Sequence, residues 1–371
     1  MISYLIPDMP STESLIPYLK EIETNHWYSN FGPLYHSFRQ RLADECFNGI
    51  NTNRLTLVSS GTSAIELALR SLKLPKGSKV LTSSFTFPAT VQAILNADLT
   101  PVVSDINKDS WQLTPTIAKR CMQLHDIKAI VPVAVFGMPI SNTDWNEFYN
   151  TKKTPIIIDA AAALLSQPID DSLIYAFSLH ATKPLGTGEG GLIVSRTKED
   201  ATSIKKASNF GFEPNRSILL SGTNAKISEY HCAVGLAQLD RLTDIKEKRR
   251  NILKSYTDLF LNENLPITFQ EGVNQHVPAS LYFVLDQANI GEVFEKLLEN
   301  NIETRRLYWP LIQNFPAFRN NVLHASINFK NAQYISSNGL ALPFYSLLST
   351  NDIEQTVSTL ASVLFKQAVS K

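Results

Sequence analysis

The sequence predicts an α/β protein: a mostly parallel sheet covered by helices on both faces, followed by a smaller α+β region. Three observations carry that reading. From residue 54 to residue 194, short apolar runs alternate with segments of helical spacing. The polar and glycine-rich stretches recur just after the apolar runs, where open parallel sheets bind ligands. After residue 195 the alternation stops, and a long helical stretch leads into a different pattern. The 371 residues are enough for two domains. The expected division is 1–244 for the large domain with its leading segment and 245–371 for the small one.

The elements follow in order. Residues 14–23 have helical spacing, WYSNFGP supplies turn chemistry through Asn30, Gly32 and Pro33, and 34–46 is helical again. Residues 55–58 form a strand and 62–72 a helix with apolar Ile65, Leu67, Ala68, Leu69 and Leu72 on its faces. A strand at 79–82, a helix at 88–96 and a strand at 100–104 come next. A helix spans 114–122, with Thr114 as its cap and Pro115 in its first turn. Strands at 129–133 and 155–158 flank a helix near 142–149, and apolar runs at 173–177 and 192–194 enclose a polar turn. Residues 197–207 are helical, NFGFEPNRSILLSGTNAK is a long loop, and 227–261 reads as one continuous helix. The remainder reads as a strand near 281–285, a helix at 290–300, a proline-containing loop and a last helix at 350–365.

Composition narrows the classes. Lysine plus arginine equals aspartate plus glutamate at 34 each, which leaves no electrostatic footprint for nucleic acid or an anionic membrane. Hydrophobic residues make up 44%, ordinary for a folded domain. Cys46, Cys121 and Cys232 are odd in number and lack metal-ligand spacing, so neither a disulfide framework nor a metal site is expected. The first residues lack a basic n-region, and no apolar run is long enough to span a bilayer. A soluble, cytoplasmic protein is expected.

The chemistry centres on FSLHATKPLGTGEGGLIVS, residues 177–195. Lys183 sits on a glycine-rich turn between two buried strands. Alone it reads as a surface turn lysine; held near a bound carbonyl, it is an amine that desolvation can make nucleophilic. Asp159 ends another apolar run and opens IDAAAA, a place from which a carboxylate can sit under a ring nitrogen. Pyridoxal phosphate needs both parts, a lysine for its aldehyde and an acid for its pyridinium. SSGTS, residues 59–63, opens a helix, which suits either a plain cap or a phosphate. Ser178 lies five residues before the lysine and could reach the same phosphate. Phe87, in SSFTFPAT, could lie against a pyridine ring or simply pack in the core.

In this order and spacing the chain resembles the DegT/DnrJ/StrS family of sugar aminotransferases, which have the pyridoxal phosphate-dependent fold type I architecture. The resemblance runs from SNFGP through SSGTSAIELAL, SSFTFPATVQAIL, PVVSDI, AIVPVAVFG, FSLHATK with TGEGG, NFGF and GTNAKISEYHCAVGLAQL to IETRRLYWPL and LALPFY. It implies that Lys183 is the Schiff-base lysine and that Asp159 partners the pyridinium nitrogen. It implies Phe87 for ring stacking, and Thr62, Ser63 and Ser178 for the phosphate. It implies a homodimer in which Asn224 reaches the neighbouring subunit's phosphate. His180 is assigned to packing or orientation. Lys226, Arg305, Arg306 and Tyr308 are candidates for the substrate, although the three cations read equally as solvated charges.

The implied reaction moves an amino group from glutamate to a nucleotide-linked keto-deoxysugar. NFGF followed by GTNAKISE most resembles members acting on dTDP-4-oxo-6-deoxyglucose, and bacterial surface polysaccharide is the implied destination. Two departures stand out. The family's glutamine or histidine three residues after the aspartate is Ala162 here, and the segment between Asp159 and the lysine is short. The family's proline–leucine–histidine is Pro310-Leu311-Ile312. A dehydratase of the family would carry histidine in place of Lys183, and no GxxxxGK[ST] motif supports an unrelated nucleotide enzyme. The competing reading is a non-catalytic regulatory or binding protein that keeps the fold.

Overall fold

Two helices precede the first strand in this computed structural model, which describes residues 1–286, 288–326 and 328–369. Helix α1 (Thr12–Asn25) starts on the Ser11 hydroxyl, and α2 (Pro33–Cys46) has proline in its first turn. Glu229, 1% exposed, accepts the N–H groups of Leu34 and Tyr35 at 2.7 and 3.0 Å and so caps α2 from a distant segment. Then β1 (Leu55–Val58), α3 (Gly61–Ser71), β2 (Lys79–Ser83), α4 (Pro88–Asn96) and β3 (Thr100–Ser104) alternate. They are followed by α5 (Pro115–Leu124), β4 (Ile127–Val131), α6 (Asn142–Lys152), β5 (Ile157–Asp159), β6 (Ile174–Ser178), β7 (Gly191–Val194) and α7 (Lys198–Ala207).

The strands align in the order β1-β7-β6-β5 and β2 between β3 and β4. Parallel bridges Ile130–Ile156 and Val133–Asp159 join the two halves, and only β7 runs against its neighbours. The strands are buried along almost their whole length, as a sheet covered on both faces requires. One core lies between the sheet and α2, with Tyr35, Phe38, Trp145 and Phe177 among its largest members. The other lies under α3 and α4, around Ile65, Leu69, Ile94 and Ile193.

The stretch expected as one helix is two, α8 (Glu229–Leu239) and α9 (Leu242–Asn262). Tertiary pairing overrides helical propensity at the break. Asp240 is taken by Arg41 at 2.6 Å and by the Tyr18 hydroxyl at 2.7 Å. Arg241 leaves helical geometry (φ −115°, ψ 14°) and pairs with Asp8 at 2.7 Å.

The C-terminal region has its own sheet and core. Strand β8 (Ile267–Phe269) and β9 (Tyr282–Leu285) precede α10 (Ile290–Glu299) and β10 (Leu323–His324). Then come α11 (Lys330–Asn338), β11 (Gly339–Ala341) and α12 (Thr350–Val369). The sheet order is β11-β9-β8, while β10 adds to the large sheet beside β3. The core here gathers Tyr256, Phe260, Phe283, Leu297 and Leu360, and Ile2 joins it through a parallel bridge to Ile302. The short strands β8, β10 and β11 and helix α11 carried no strong periodic signal. All three cysteines are free thiols. Among the described residues no helix is long and apolar enough to cross a membrane.

Candidate active site

A cavity of about 520 Å³ opens where β1, β2, β5 and β6 end. Lys183, Asp159, Phe87, Thr62, Ser178 and Tyr308 all line it, together with Ala162 and His180.

Asp159 is 4% exposed at the end of β5. Its Oδ1 accepts the N–H of Ala161 at 3.1 Å and its Oδ2 the hydroxyl of Thr90 at 2.7 Å. Thr86 lies 2.7 Å from Thr90; because Thr90 gives its only proton to Asp159, Thr86 is the donor of that second bond. Burial nonetheless pushes the Asp159 carboxyl up, against Thr90, Ala161 and the positive charge of Lys183. Desolvation pushes the Lys183 amine down, with Asp159 opposing. A buried carboxyl and a partly buried, desolvated amine therefore line one cavity, each short of a full counter-charge.

The lysine turn is fixed by its own backbone. The N–H of Lys183 donates to the carbonyl of His180 at 2.8 Å, and Ala181 and Gly188 pair across the loop at 2.8 Å. His180 Nδ1 accepts the Thr182 N–H at 3.2 Å, which leaves the ring proton on Nε2, 3.8 Å from Glu189. The histidine thus braces the turn.

The start of α3 meets the end of β6. A Cβ on Gly61 would stand 2.7 Å from Ser178 Cβ, and one on Gly191 would stand 2.2 Å from the carbonyl of Ser60. Only glycine allows this approach. Ser60 caps the helix through Ser63 N–H at 3.0 Å, while Gly61 and Thr62 line the cavity with first-turn amides that have no intrahelical acceptor. Phe87, just before α4, is 62% exposed, an unusual state for a phenylalanine inside a cavity wall. Tyr308 meets it edge-on at 6.5 Å and stacks on Phe136 at 5.3 Å. The Tyr308 phenol is pushed up by burial and by the charge of Asp159.

The other expected site residues lie elsewhere. Ser63 belongs to the cap, 2.9 Å from the Ser60 hydroxyl. Asn224 and Lys226 hold each other at 2.6 Å on the loop between α7 and α8, and Lys226 lies 5.0 Å from the Phe210 ring. Arg305 is paired with Glu303 at 2.5 Å, and Arg306 stacks 4.0 Å over Trp309. Sequence reasoning missed Thr86 and Thr90, which sit one helical turn apart around Pro88; that spacing was their only signal. It also missed Glu189, inside the TGEGG motif.

These features fit pyridoxal phosphate: a buried acid for a ring nitrogen, a desolvated amine for an aldehyde, an uncovered aromatic, and a helix start with an adjacent hydroxyl for a phosphate. Comparison with known proteins agrees. The model of the DegT/DnrJ/EryC1/StrS aminotransferase family matches residues 11–361. A dTDP-4-amino-4,6-dideoxy-D-glucose transaminase of Shigella dysenteriae is 31% identical, covering 96% of this chain and 97% of that one. A transaminase of the same name from Escherichia coli is 27% identical over 92% and 93% of the two chains. A solved structure from Bacillus cereus ATCC 10987, provisionally assigned as a PLP-dependent aminotransferase, superposes with a TM-score of 0.88 at 30% identity, covering 97% of this chain and 99% of that one.

Proposed function

The chain belongs to the DegT/DnrJ/EryC1/StrS aminotransferase family and is a pyridoxal phosphate-dependent sugar aminotransferase, and on that premise we propose its reaction. It moves the amino group of glutamate to the 4-keto carbon of dTDP-4-oxo-6-deoxyglucose, giving the 4-amino-4,6-dideoxy sugar. The observation that carries the chemistry is the shared cavity of Lys183 and Asp159. The 31% identity to the Shigella dysenteriae transaminase supports this sugar over others. The product serves bacterial surface polysaccharide, made by a cytoplasmic homodimer.

When bound, pyridoxal phosphate supplies an aldehyde for amine exchange and a protonated ring that accepts electron pairs. Lys183 Nζ is the amine that meets that aldehyde. The same amine would hold and move a proton beside the reacting carbon, a task its lowered basicity would ease. Asp159 would hold a positive charge at the ring nitrogen, and the Thr90 hydroxyl and Ala161 N–H aim the carboxylate and favour its ionised form against the effect of burial. Phe87 would lie against the ring. Thr62, Ser178 and the first amides of α3 would take the phosphate, joined by Asn224 of the partner subunit. Lys226, Arg306 and Tyr308 are assigned to the nucleotide sugar; Arg305 is assigned with them despite its bond to Glu303.

The test incubates the protein and glutamate with dTDP-, UDP- and GDP-linked keto-sugars and reads the products by mass spectrometry. Amination of dTDP-4-oxo-6-deoxyglucose above the others is expected. Preference for another nucleotide sugar would overturn the substrate. Cofactor binding with no amination of any sugar would favour the non-catalytic reading, which the bare methyl of Ala162 in the cavity wall supports.

A further inference from the structure

A second cavity of about 390 Å³ shares no residue with the first. Its walls come from α2, the turn before β1, α7 and the loop after α7. Arg39, Lys198, Lys205 and Lys206 supply cations, and Glu213 is the one acid among the lining residues. Lys206 takes that acid at 2.7 Å. Among the described residues, no ion pair involves Arg39, Lys198 or Lys205.

Two of these cations are not swinging in water. Arg39 Nε is buried and makes no hydrogen bond. The guanidinium lies 3.4 Å from His36 Nδ1 and 5.7 Å from the Tyr35 ring, whose phenol it touches by charge and hydrogen bond. The half-buried Lys205 ammonium lies 4.4 Å over Phe31 and 5.7 Å from the same Tyr35 ring. Burial and then the charge of Arg39 push the Lys205 amine down, and burial, Arg39 and Lys205 together push the His36 imidazole down. Like charges thus crowd one aromatic ring with no anion between them, an arrangement that a bound anion would relieve.

The shape narrows the anion. A guanidinium fork beside an ammonium suits phosphate oxygens, and the volume exceeds that of a single oxyanion. Phe31 and Phe212 offer apolar walls, and Asn53 and Asn209 lie beside the cations. We propose that this cavity is a second, non-catalytic site for a diphosphate-bearing small molecule, with Arg39 and Lys205 on the phosphate oxygens. The source of the group is either free pyrophosphate or a nucleoside diphosphate.

Calorimetric titration of the cofactor-loaded protein at constant ionic strength tests it, with inorganic pyrophosphate in one arm and dTDP in the other. Pyrophosphate should bind the wild type, and Arg39→Gln or Lys205→Gln should each weaken it about tenfold or more, the loss of one charge-assisted contact. Arg39→Lys should recover part of the loss. For dTDP, the catalytic cavity and this site should give two events per chain, of which the variants lose one while turnover and cofactor absorbance stay at wild-type values. Tighter dTDP than pyrophosphate at this site would identify the nucleotide as the source, and equal affinity the free diphosphate. Should Arg39→Gln fail to fold, Lys205→Gln, on α7 rather than α2, carries the test. Absence of pyrophosphate binding, or equal binding in wild type and variants, would overturn the proposal. So would variants that dissociate the dimer with anion affinity unchanged, since the cations would then serve a carboxylate of a second copy.

Discussion

The hydroxyl of Thr90, on α4, donates to Asp159 Oδ2 across 2.7 Å, tying a helix that follows β2 to the last residue of β5. Thr90→Val keeps the shape and removes the donor, leaving a buried carboxylate oxygen unsatisfied. The expected cost is ~1–3 kcal/mol in stability of the ionised site, with kcat reduced roughly tenfold. Thr86→Val acts through Thr90 alone, so the double variant should be little worse than Thr90→Val; additive losses in steady-state kinetics would refute the relay.

Asp159→Asn removes the charge and keeps the volume. The rate should fall by about 10²–10³, roughly 3–4 kcal/mol, the scale of a lost electrostatic contact at a reacting centre. A variant within a few-fold of wild type would make this acid a purely structural residue.

Composite sites predict complementation. Lys183→Ala should abolish turnover while still retaining cofactor through the phosphate-binding residues, and Asn224→Ala should weaken cofactor retention although Lys183 is intact. In a mixed dimer of the two variants, one site inherits both defects and the other neither, so activity should rise to about half of wild type. Subunit exchange without recovery, or full activity in a monomer, would exclude the composite arrangement.

His231, whose Nδ1 lies 2.7 Å from the Ser228 hydroxyl at the start of α8, is pushed below its ordinary value by burial, with Glu189 opposing. The folded state therefore binds fewer protons than the unfolded chain between the folded value and 6.5. Stability rises with pH through that window and is lost as pH falls through it. His231→Gln should narrow the gap between urea midpoints measured near pH 5 and near pH 7, and an unchanged gap would place the acid sensitivity elsewhere.

The alternation of apolar runs and helical segments made the parallel sheet readable because buried strands and amphipathic helices have separate periods. Leu55–Val58, Pro88–Asn96 and Thr100–Ser104 occupy the ranges that pattern predicts. The break at Asp240 was invisible, since partners more than 190 residues away create it. Residues 267–269, 323–324 and 339–341 are too short for any period to show. At the site, Asp159 and Ser178 end strands and Lys183 stands on the turn between two, all places that local pattern marks. Tyr308 enters the same cavity from a loop of the C-terminal region, which motif resemblance indicated and periodicity did not. Thr90 was hidden inside a helix whose pattern explains it without any role.

The bridge between Ile2 and Ile302 carries a consequence for biosynthesis. The Ile2 N–H donates to Asn301 at 2.7 Å, and Tyr4 N–H donates to Glu303 at 3.0 Å. A ribosome at ~5–20 residues per second exposes Ile2 many seconds before its partner emerges. The sheet around β1 to β7 can close in that interval, but the C-terminal core must wait for segments far apart in the chain. Newly made chains thus pass through a stage with a finished cofactor-binding half and an unsealed C-terminal half, and at that stage chaperones and proteases have most to grip.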